Sequence, residues 1–483
     1  MDTSYQKFAK DVSVVGLTNI LMSFRGLILL PLFTKTLGAH GYGIWAQVHV
    51  TLGLAGTFVG LGLPFALVRF LPAKTDKEEI QEDFYSVLGV VSLTTLIVSI
   101  GLIIGADFIA KAFFENATQV VRITGLIVLV QSLNSMFLTF FRAFRQMKRY
   151  SIFMIADTYG QAALIAYLIL TGYGVFSTVV AVLVVRVIIL LILFFLVKRL
   201  IGIRRPHFTR IKEFLHFGVF IIPSALCTWV VNSSDRYIIG NILGMTSVGT
   251  YSAAYGLGSL PMMIVGVLGF VLPPTLAKLY DEGNIGEVKQ HLSYTLKYFL
   301  ALAIPFVFGS VVLAEPVLRV FSTPEIASEG RIVLPIVALS ILIFGISAIA
   351  PYIIFLEKRV RLSATLWTIA AVCNVSLNIV VIPWIGIEGA AVTTLIAFSV
   401  ALGIALYYSW KSFSFRIDWG FIAKSIFASV LMSLAIWGMS PEGNVGTILT
   451  VVAGVVIYGI ALLLLKAFDR DEFAFFKGLF RGT

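Results

Sequence analysis

Charge is scarce in this chain. Only 13% of its 483 residues are Asp, Glu, Lys or Arg, where the surface of a soluble domain needs about a quarter. With 59% hydrophobic residues and a mean hydropathy of +0.97, a soluble fold is excluded. Cysteine is nearly absent. Cys227 and Cys373 both lie in apolar segments, so a disulfide framework is excluded and both thiols read as small packing residues. The five histidines, His40, His49, His207, His216 and His291, are scattered with no pair at ligand spacing. No Walker-type glycine loop is present, which excludes built-in ATP hydrolysis, and no organic cofactor is expected. Long loops are missing too. The longest, at residues 198–212 and 276–291, stay under about 20 residues and the rest are shorter. Loops of that size cannot build the acid–base site an enzyme would need at the membrane surface, so no enzyme is expected.

What is present is a succession of apolar runs, each about the 20 residues needed to cross a bilayer core. The pattern predicts an all-α, polytopic membrane protein with about fourteen spans. They lie near 10–36, 42–68, 84–106, 120–142, 151–171, 175–197, 213–242, 247–274, 292–314, 331–356, 362–382, 386–408, 420–439 and 446–467. The first run is too long for a signal-peptide core and is expected to stay as a membrane helix. About 25 Lys and Arg fall in one alternate set of connections, from Lys7 and Lys10 through Lys358 to Arg470, Lys477 and Arg481. About five (Lys35, Lys111, Arg122, Arg319, Arg331) fall in the other. This bias puts both termini in the cytoplasm of a multi-pass protein of the inner cell membrane. It also accounts for the net charge of +11 without a nucleic-acid partner. Membrane lipids are the surrounding partner, and the basic connections suit anionic headgroups.

An internal repeat is visible. Leu37-Gly38-Ala39-His40-Gly41-Tyr42-Gly43-Ile44-Trp45-Ala46 corresponds to Leu243-Gly244-Met245-Thr246-Ser247-Val248-Gly249-Thr250-Tyr251-Ser252. Gly174-Val175 corresponds to Gly386-Ile387. The repeat predicts two pseudo-symmetric six-helix lobes, residues 1–200 and 201–410, related by an axis along the membrane normal around a central cleft. Residues 411–483 then hold two additional helices and a cytoplasmic tail.

Ionisable groups at membrane depth are few, and each is a candidate for function. Asp235-Arg236 is an adjacent acid and base within the apolar segment 214–243, costing about 2.5 to 3.5 kcal/mol per charge on the insertion scale. It is either an ion pair joining helices or a coupling or substrate site of a transporter. Arg25 lies about 13 residues, or roughly 20 Å, from the turn at Gly38, where a lone arginine must face water or an anion. Asp157 and Arg186 are expected to pair across neighbouring helices. Asn374 and Asn378 share a helix face. Together with Asp235 and Thr394 they lie roughly 12 to 18 Å below the outer helix ends. These oxygens suit a small cation such as Na⁺, or Asp235 could carry H⁺; the alternative is a hydrogen-bonded Asn/Thr helix interface.

Three stretches carry a family resemblance: residues 30–45 around Leu37-Gly38, Asp235-Arg236-Tyr237-Ile238-Ile239-Gly240 with Gly249-Thr250-Tyr251-Ser252-Ala253-Ala254-Tyr255, and Asn378-Ile379-Val380-Val381-Ile382-Pro383 with Gly386-Ile387-Glu388-Gly389. In this order and spacing they resemble the signatures of Wzx-type polysaccharide-biosynthesis flippases, of the multidrug/oligosaccharidyl-lipid/polysaccharide exporter superfamily. The resemblance implies a transporter that flips an isoprenoid (di)phosphate-linked oligosaccharide from the inner to the outer leaflet by ion-coupled alternating access. It implies substrate contacts at Arg25 and Arg236, an entrance contact at Arg69, and a Na⁺ or H⁺ coupling site at Asp235, Asn374, Asn378 and Thr394. A second acid at 378 would make Na⁺ binding firmer, and this chain has Asn there. A monomer is expected, working beside other polysaccharide-assembly proteins. The competing expectation is a cation-coupled multidrug exporter of the same superfamily.

Overall fold

The structure is a computed structural model that describes residues 3–219, 222–357, 359–412, 414–468 and Glu472. Of the basic residues in the expected charge bias, Lys358, Arg470, Lys477 and Arg481 lie outside the described residues. Every regular element among the described residues is helical, as a bilayer demands of backbone groups that have no water to bond. In chain order they are α1 (Thr3–Val59), α2 (Leu63–Phe70), α3 (Lys77–Ile104), α4 (Ala106–Phe113), α5 (Thr118–Ala143), α6 (Met147–Leu170), α7 (Val175–Ile201), α8 (Ile211–Val219), α9 (Ile222–Leu243) and α10 (Met245–Gly258). Then follow α11 (Met262–Asp281), α12 (Ile285–Phe321), α13 (Pro324–Gly330), α14 (Val333–Ile349), α15 (Ile353–Leu356), α16 (Val360–Ile385), α17 (Ile387–Ser412), α18 (Trp419–Met439) and α19 (Gly443–Leu464).

Twelve stretches of the described residues are long and apolar enough to cross a membrane, thirteen if the bent pair Met245–Gly258 and Met262–Gly269 is one span. One of the twelve, Val14–Val59, has 46 residues, about twice what a crossing needs. It is broken at Gly38, whose φ of 68° and ψ of −175° interrupt the helix. Counting its two limbs separately, with the bent pair as one span, gives the fourteen crossings that the sequence pattern predicts. Gly244, the repeat partner of Gly38, also has a positive φ, 87°, and separates α9 from α10. Both turns use a conformation that costs glycine little and a β-carbon much. The eighth predicted span differs from expectation. It bends by 60° because Gly258 and Pro261 interrupt it, proline removing a backbone donor. Large apolar side chains lie open along the helices, among them Trp384, Trp437 and Leu464, 86, 73 and 78% exposed. Apolar surface on that scale is what lipid covers.

The chain divides into two units, one of Met1–Ser252 and Trp367–Ala390, the other of Ala253–Leu366 and Ala391–Thr483. In the first, α3, α5 and α7 pack around Phe84, Phe137 and Phe141, with Leu63 and Leu67 of α2. α1 packs against α6, α5 and α9. Here the two copies of the repeat touch. A β-carbon on Gly43 would lie 1.9 Å from the Met245 carbonyl oxygen, and one on Gly249 would lie 1.9 Å from that of Ala39. Ala39 corresponds to Met245 in the repeat as Gly43 does to Gly249. The contact is therefore reciprocal, each residue meeting its partner's equivalent, as around a local two-fold axis. In the second unit α12 packs on α14, α18 and α19, around Phe421, Ala428, Met432 and Leu462.

Candidate functional site

Site building begins with the kink at Gly38. It folds the two limbs of α1 so that Arg25, on the first, and Trp45 and His49, on the second, line one cavity of about 380 Å³. α9 supplies Trp229, Ser233 and Arg236 to the same wall, and Tyr42 completes it. Two hydrogen bonds hold the frame: Tyr237 Oη to Thr51 Oγ1 at 2.7 Å, joining α9 to α1, and Tyr159 Oη donating to the Leu21 carbonyl at 2.8 Å, joining α6 to α1. The volume is at the lower end of the about 300–1,000 Å³ of ligand sites.

Arg25 Nη1 donates to Gln161 Oε1 at 3.3 Å, a neutral partner, and among the described residues it makes no ion pair. Arg236 is 7% exposed and Asp235 fully buried. The two are joined at 2.8 Å through Arg236 Nη1 and Asp235 Oδ1, and the Arg236 backbone N–H donates to the same oxygen at 2.9 Å. Tyr251 Oη donates to Oδ2 at 2.5 Å. The ring of Tyr251 lies 5.1 Å from the Arg236 guanidinium carbon, a cation–π contact. Three of the about four acceptor positions of the Asp235 carboxylate are thus in use. The ion pair lies between neighbours on α9 and joins no two helices; the link from Asp235 to another helix is the Tyr251 hydroxyl of α10.

Asn378 Nδ2 donates to Asn374 Oδ1 at 3.0 Å, and both side chains are fully buried, which is the shared face expected from their spacing. Asp235, Asn374 and Asn378 belong to the first unit and Thr394, also fully buried, to the second. Among the described residues no group of three His, Cys, Asp or Glu gathers to hold a metal ion. Arg69 is exposed at the end of α2, its guanidinium 4.9 Å from the centre of the Phe217 ring and 5.8 Å from that of Phe70. It does not line the cavity of Arg25 and Arg236. Asp157 and Arg186 pair as expected, Oδ2 to Nε at 3.9 Å, and Arg186 Nη1 donates to Gln131 Oε1 at 2.5 Å.

Several partners escape sequence reasoning. Tyr251 binds Asp235 from 16 residues away. Gln161 reaches Arg25 across 136 residues. His49 reads as one of five scattered histidines but lines the same cavity as the two arginines. Lys297, buried near the start of α12, binds Glu472 at 2.8 Å and Asp418 at 3.4 Å. Asp418 also accepts the Phe421 N–H at 2.8 Å to cap α18. Burial pushes the Asp418 carboxyl up, but this backbone N–H and the Lys297 ammonium hold it below its ordinary value.

A family model described as polysaccharide biosynthesis protein matches residues 8–280, more than half of the chain. The chain belongs to the polysaccharide biosynthesis protein family. A second model, MatE, matches residues 220–380, and the two together put the chain in the multidrug/oligosaccharidyl-lipid/polysaccharide exporter superfamily. It is 20% identical over 276 residues to the probable low-salt glycan biosynthesis flippase Agl15 of Haloferax volcanii, covering 56% of this chain and 58% of that protein. It is 25% identical over 464 residues to the succinoglycan biosynthesis transport protein ExoT of Rhizobium meliloti, covering 90% of this chain and 89% of that one. The chain thus spans little more than half the length of Agl15 in that match. Among solved structures the lipid II flippase MurJ, in an inward closed conformation, has the same fold, with a TM-score of 0.74 at 18% identity over 95% of this chain and 99% of that one.

Proposed function

We propose that the protein flips an isoprenoid (di)phosphate-linked oligosaccharide from the inner to the outer leaflet of the inner cell membrane, with both termini in the cytoplasm. The observation that carries this reading is Arg25: a cation on a membrane-spanning helix, lining a cavity, hydrogen-bonded to a neutral amide and, among the described residues, in no ion pair. A charge so placed is costly in hydrocarbon, and an anionic headgroup entering the cavity offsets that cost. Arg236 forms the opposite contact, its charge balanced by Asp235 until the anion competes for it. Aromatic faces beside the arginines suit the sugar, while the isoprenoid tail stays in the bilayer. Arg69, exposed at the end of α2, meets the headgroup first. The relatives named for glycan flipping and transport support the reading.

Coupling follows from the same pair. A proton or Na⁺ at Asp235, assisted by Asn374, Asn378 and Thr394, would weaken the hold of the carboxylate on Arg236 and free it for the phosphate. No organic cofactor takes part in this scheme, and the protein works as a monomer beside other polysaccharide-assembly proteins. In proteoliposomes with a lipid-linked oligosaccharide, the wild type moves substrate between leaflets and Arg25→Ala does not. Asp235→Asn loses dependence on an ion gradient. Unimpaired flipping by Arg25→Ala would end this reading. The MatE match favours a second reading, a cation-coupled multidrug exporter. Two arginines in the cavity wall oppose a cationic drug, and ethidium efflux without lipid flipping would decide for it.

A further inference from the structure

The cavity holds a third nitrogen that the flippase reading leaves without a task. Nε2 of His49 is buried and has no hydrogen-bond partner among the described residues, yet the residue lines the same wall as Arg25 and Arg236. A buried imidazole nitrogen left unsatisfied costs free energy, so its place calls for a partner that arrives. The ring is also held still. Its centroid is 4.5 Å from that of Trp45 at 74°, edge to face, and Trp45 is stacked on Phe33 at 4.6 Å. The imidazole is therefore fixed in the cavity wall beside Trp45.

We propose that His49 is a third ligand for the diphosphate, its Nε2 donating in the protonated form to a phosphate oxygen, so that binding takes up one proton from water. This rests on the reading of the cavity as a diphosphate site. The charged and titratable groups around His49 are Arg25 and Tyr42 on α1, Arg186 on α7, paired with Asp157 on α6, and the Asp235–Arg236 pair on α9. Neither α3 nor α5 places a charged side chain in the cavity wall. A further positive charge among these arginines is tolerated only against an anion. Protonation and anion binding are thus coupled, and by linkage each strengthens the other. Three cationic side chains along one wall favour the greater charge and reach of a diphosphate over a monophosphate. When the headgroup leaves, the proton returns to solvent.

The test uses the full chain in phosphatidylcholine nanodiscs, with farnesyl diphosphate and farnesyl monophosphate as probes. Affinities are measured from pH 5.5 to 8.5, spanning the ordinary imidazole value of about 6.5. Comparing wild type with His49→Gln at each pH cancels the titration of the probe itself. The wild type should bind the diphosphate about tenfold more tightly than His49→Gln at pH 5.5, a charge-assisted hydrogen bond being of that worth, and the gap should narrow above pH 7. The preference for diphosphate over monophosphate should shrink in the variant by a similar factor. His49→Gln keeps the size and polarity of the site, and an unchanged melting temperature shows that it is folded; His49→Ala repeats the measurement without any donor. A His49→Gln protein with the pH profile and phosphate preference of wild type overturns the assignment. Arg25→Ala separates the two levels. If it binds farnesyl diphosphate as wild type does, the diphosphate reading of the cavity falls; if it binds weakly while His49→Gln is unaltered, only the role of His49 falls.

Discussion

Substituting Gly43 by alanine should destabilise the fold by about 3 kcal/mol, the upper end of the range for overpacking. The added β-carbon would meet the Met245 carbonyl oxygen at 1.9 Å, where real β-carbons keep at least about 3 Å. α1 and the start of α10 would have to part by about 1 Å. Backbone lies on both sides, so no rotamer change relieves the overlap, and parting them loosens the equivalent contact of Gly249 with Ala39. Gly249→Ala should therefore cost the same. The double variant should cost less than the two singles together, because one separation accommodates both methyl groups. Thermal unfolding of the protein in detergent, with its abundance in membranes, measures this. Gly101→Ala is the control. Nothing lies within 4 Å of a β-carbon there, inside α3, so it should be neutral or stabilising by up to about 1 kcal/mol. If Gly43→Ala melts like wild type while Gly249→Ala does not, the reciprocal contact is refuted.

Arg236→Ala leaves the buried Asp235 carboxylate, among the described residues, with the Tyr251 hydroxyl and a backbone N–H, and should cost about 3 to 5 kcal/mol in the same melting assay; replacing both members, Asp235→Asn with Arg236→Gln, should cost much less. Lys297→Met removes the ammonium between Glu472 and Asp418 and should cost a similar about 3 to 5 kcal/mol, seen as a lower melting temperature. Because the Asp418 carboxyl is held below its ordinary value, its contribution is fully present above about pH 4 and fades as pH falls through its folded value; the melting difference between wild type and Asp418→Asn should vanish on acidification.

The helices and their turns were legible because lipid leaves the chain few options. Apolar length alone marks a crossing, and glycine at 38 and 244 marks the turns where φ is positive. The bend after Gly258 was missed because Pro261 reads equally well as a tolerated proline within one span. Depth counting drew attention to Arg25, Asp235, Arg236 and the Asn374–Asn378 face. It could not find their partners. Gln161 and Tyr251 are ordinary residues whose importance lies only in where packing carries them, and His49 gained its neighbours from the fold of α1 at Gly38. Pairing between Asp157 and Arg186 was recoverable, since charges on consecutive membrane helices have few other places to go.

The Asp235–Arg236 contact also changes how the site should be probed. Neighbours on a helix point about 100° apart, which suggested an acid serving an ion and a base serving the phosphate, each independent of the other. Instead one oxygen of Asp235 receives both the backbone and the side chain of Arg236. Removing either charge therefore alters the other, and loss of transport in Arg236→Ala alone cannot separate lost phosphate contact from a strained carboxylate. Among the described residues Arg25 forms no ion pair. Its partner is an amide, so Arg25→Gln removes the charge at little structural cost. A fall in diphosphate affinity in that variant, with melting unchanged, would measure the anion contact itself. If affinity holds, the cavity does not bind its ligand through charge at Arg25.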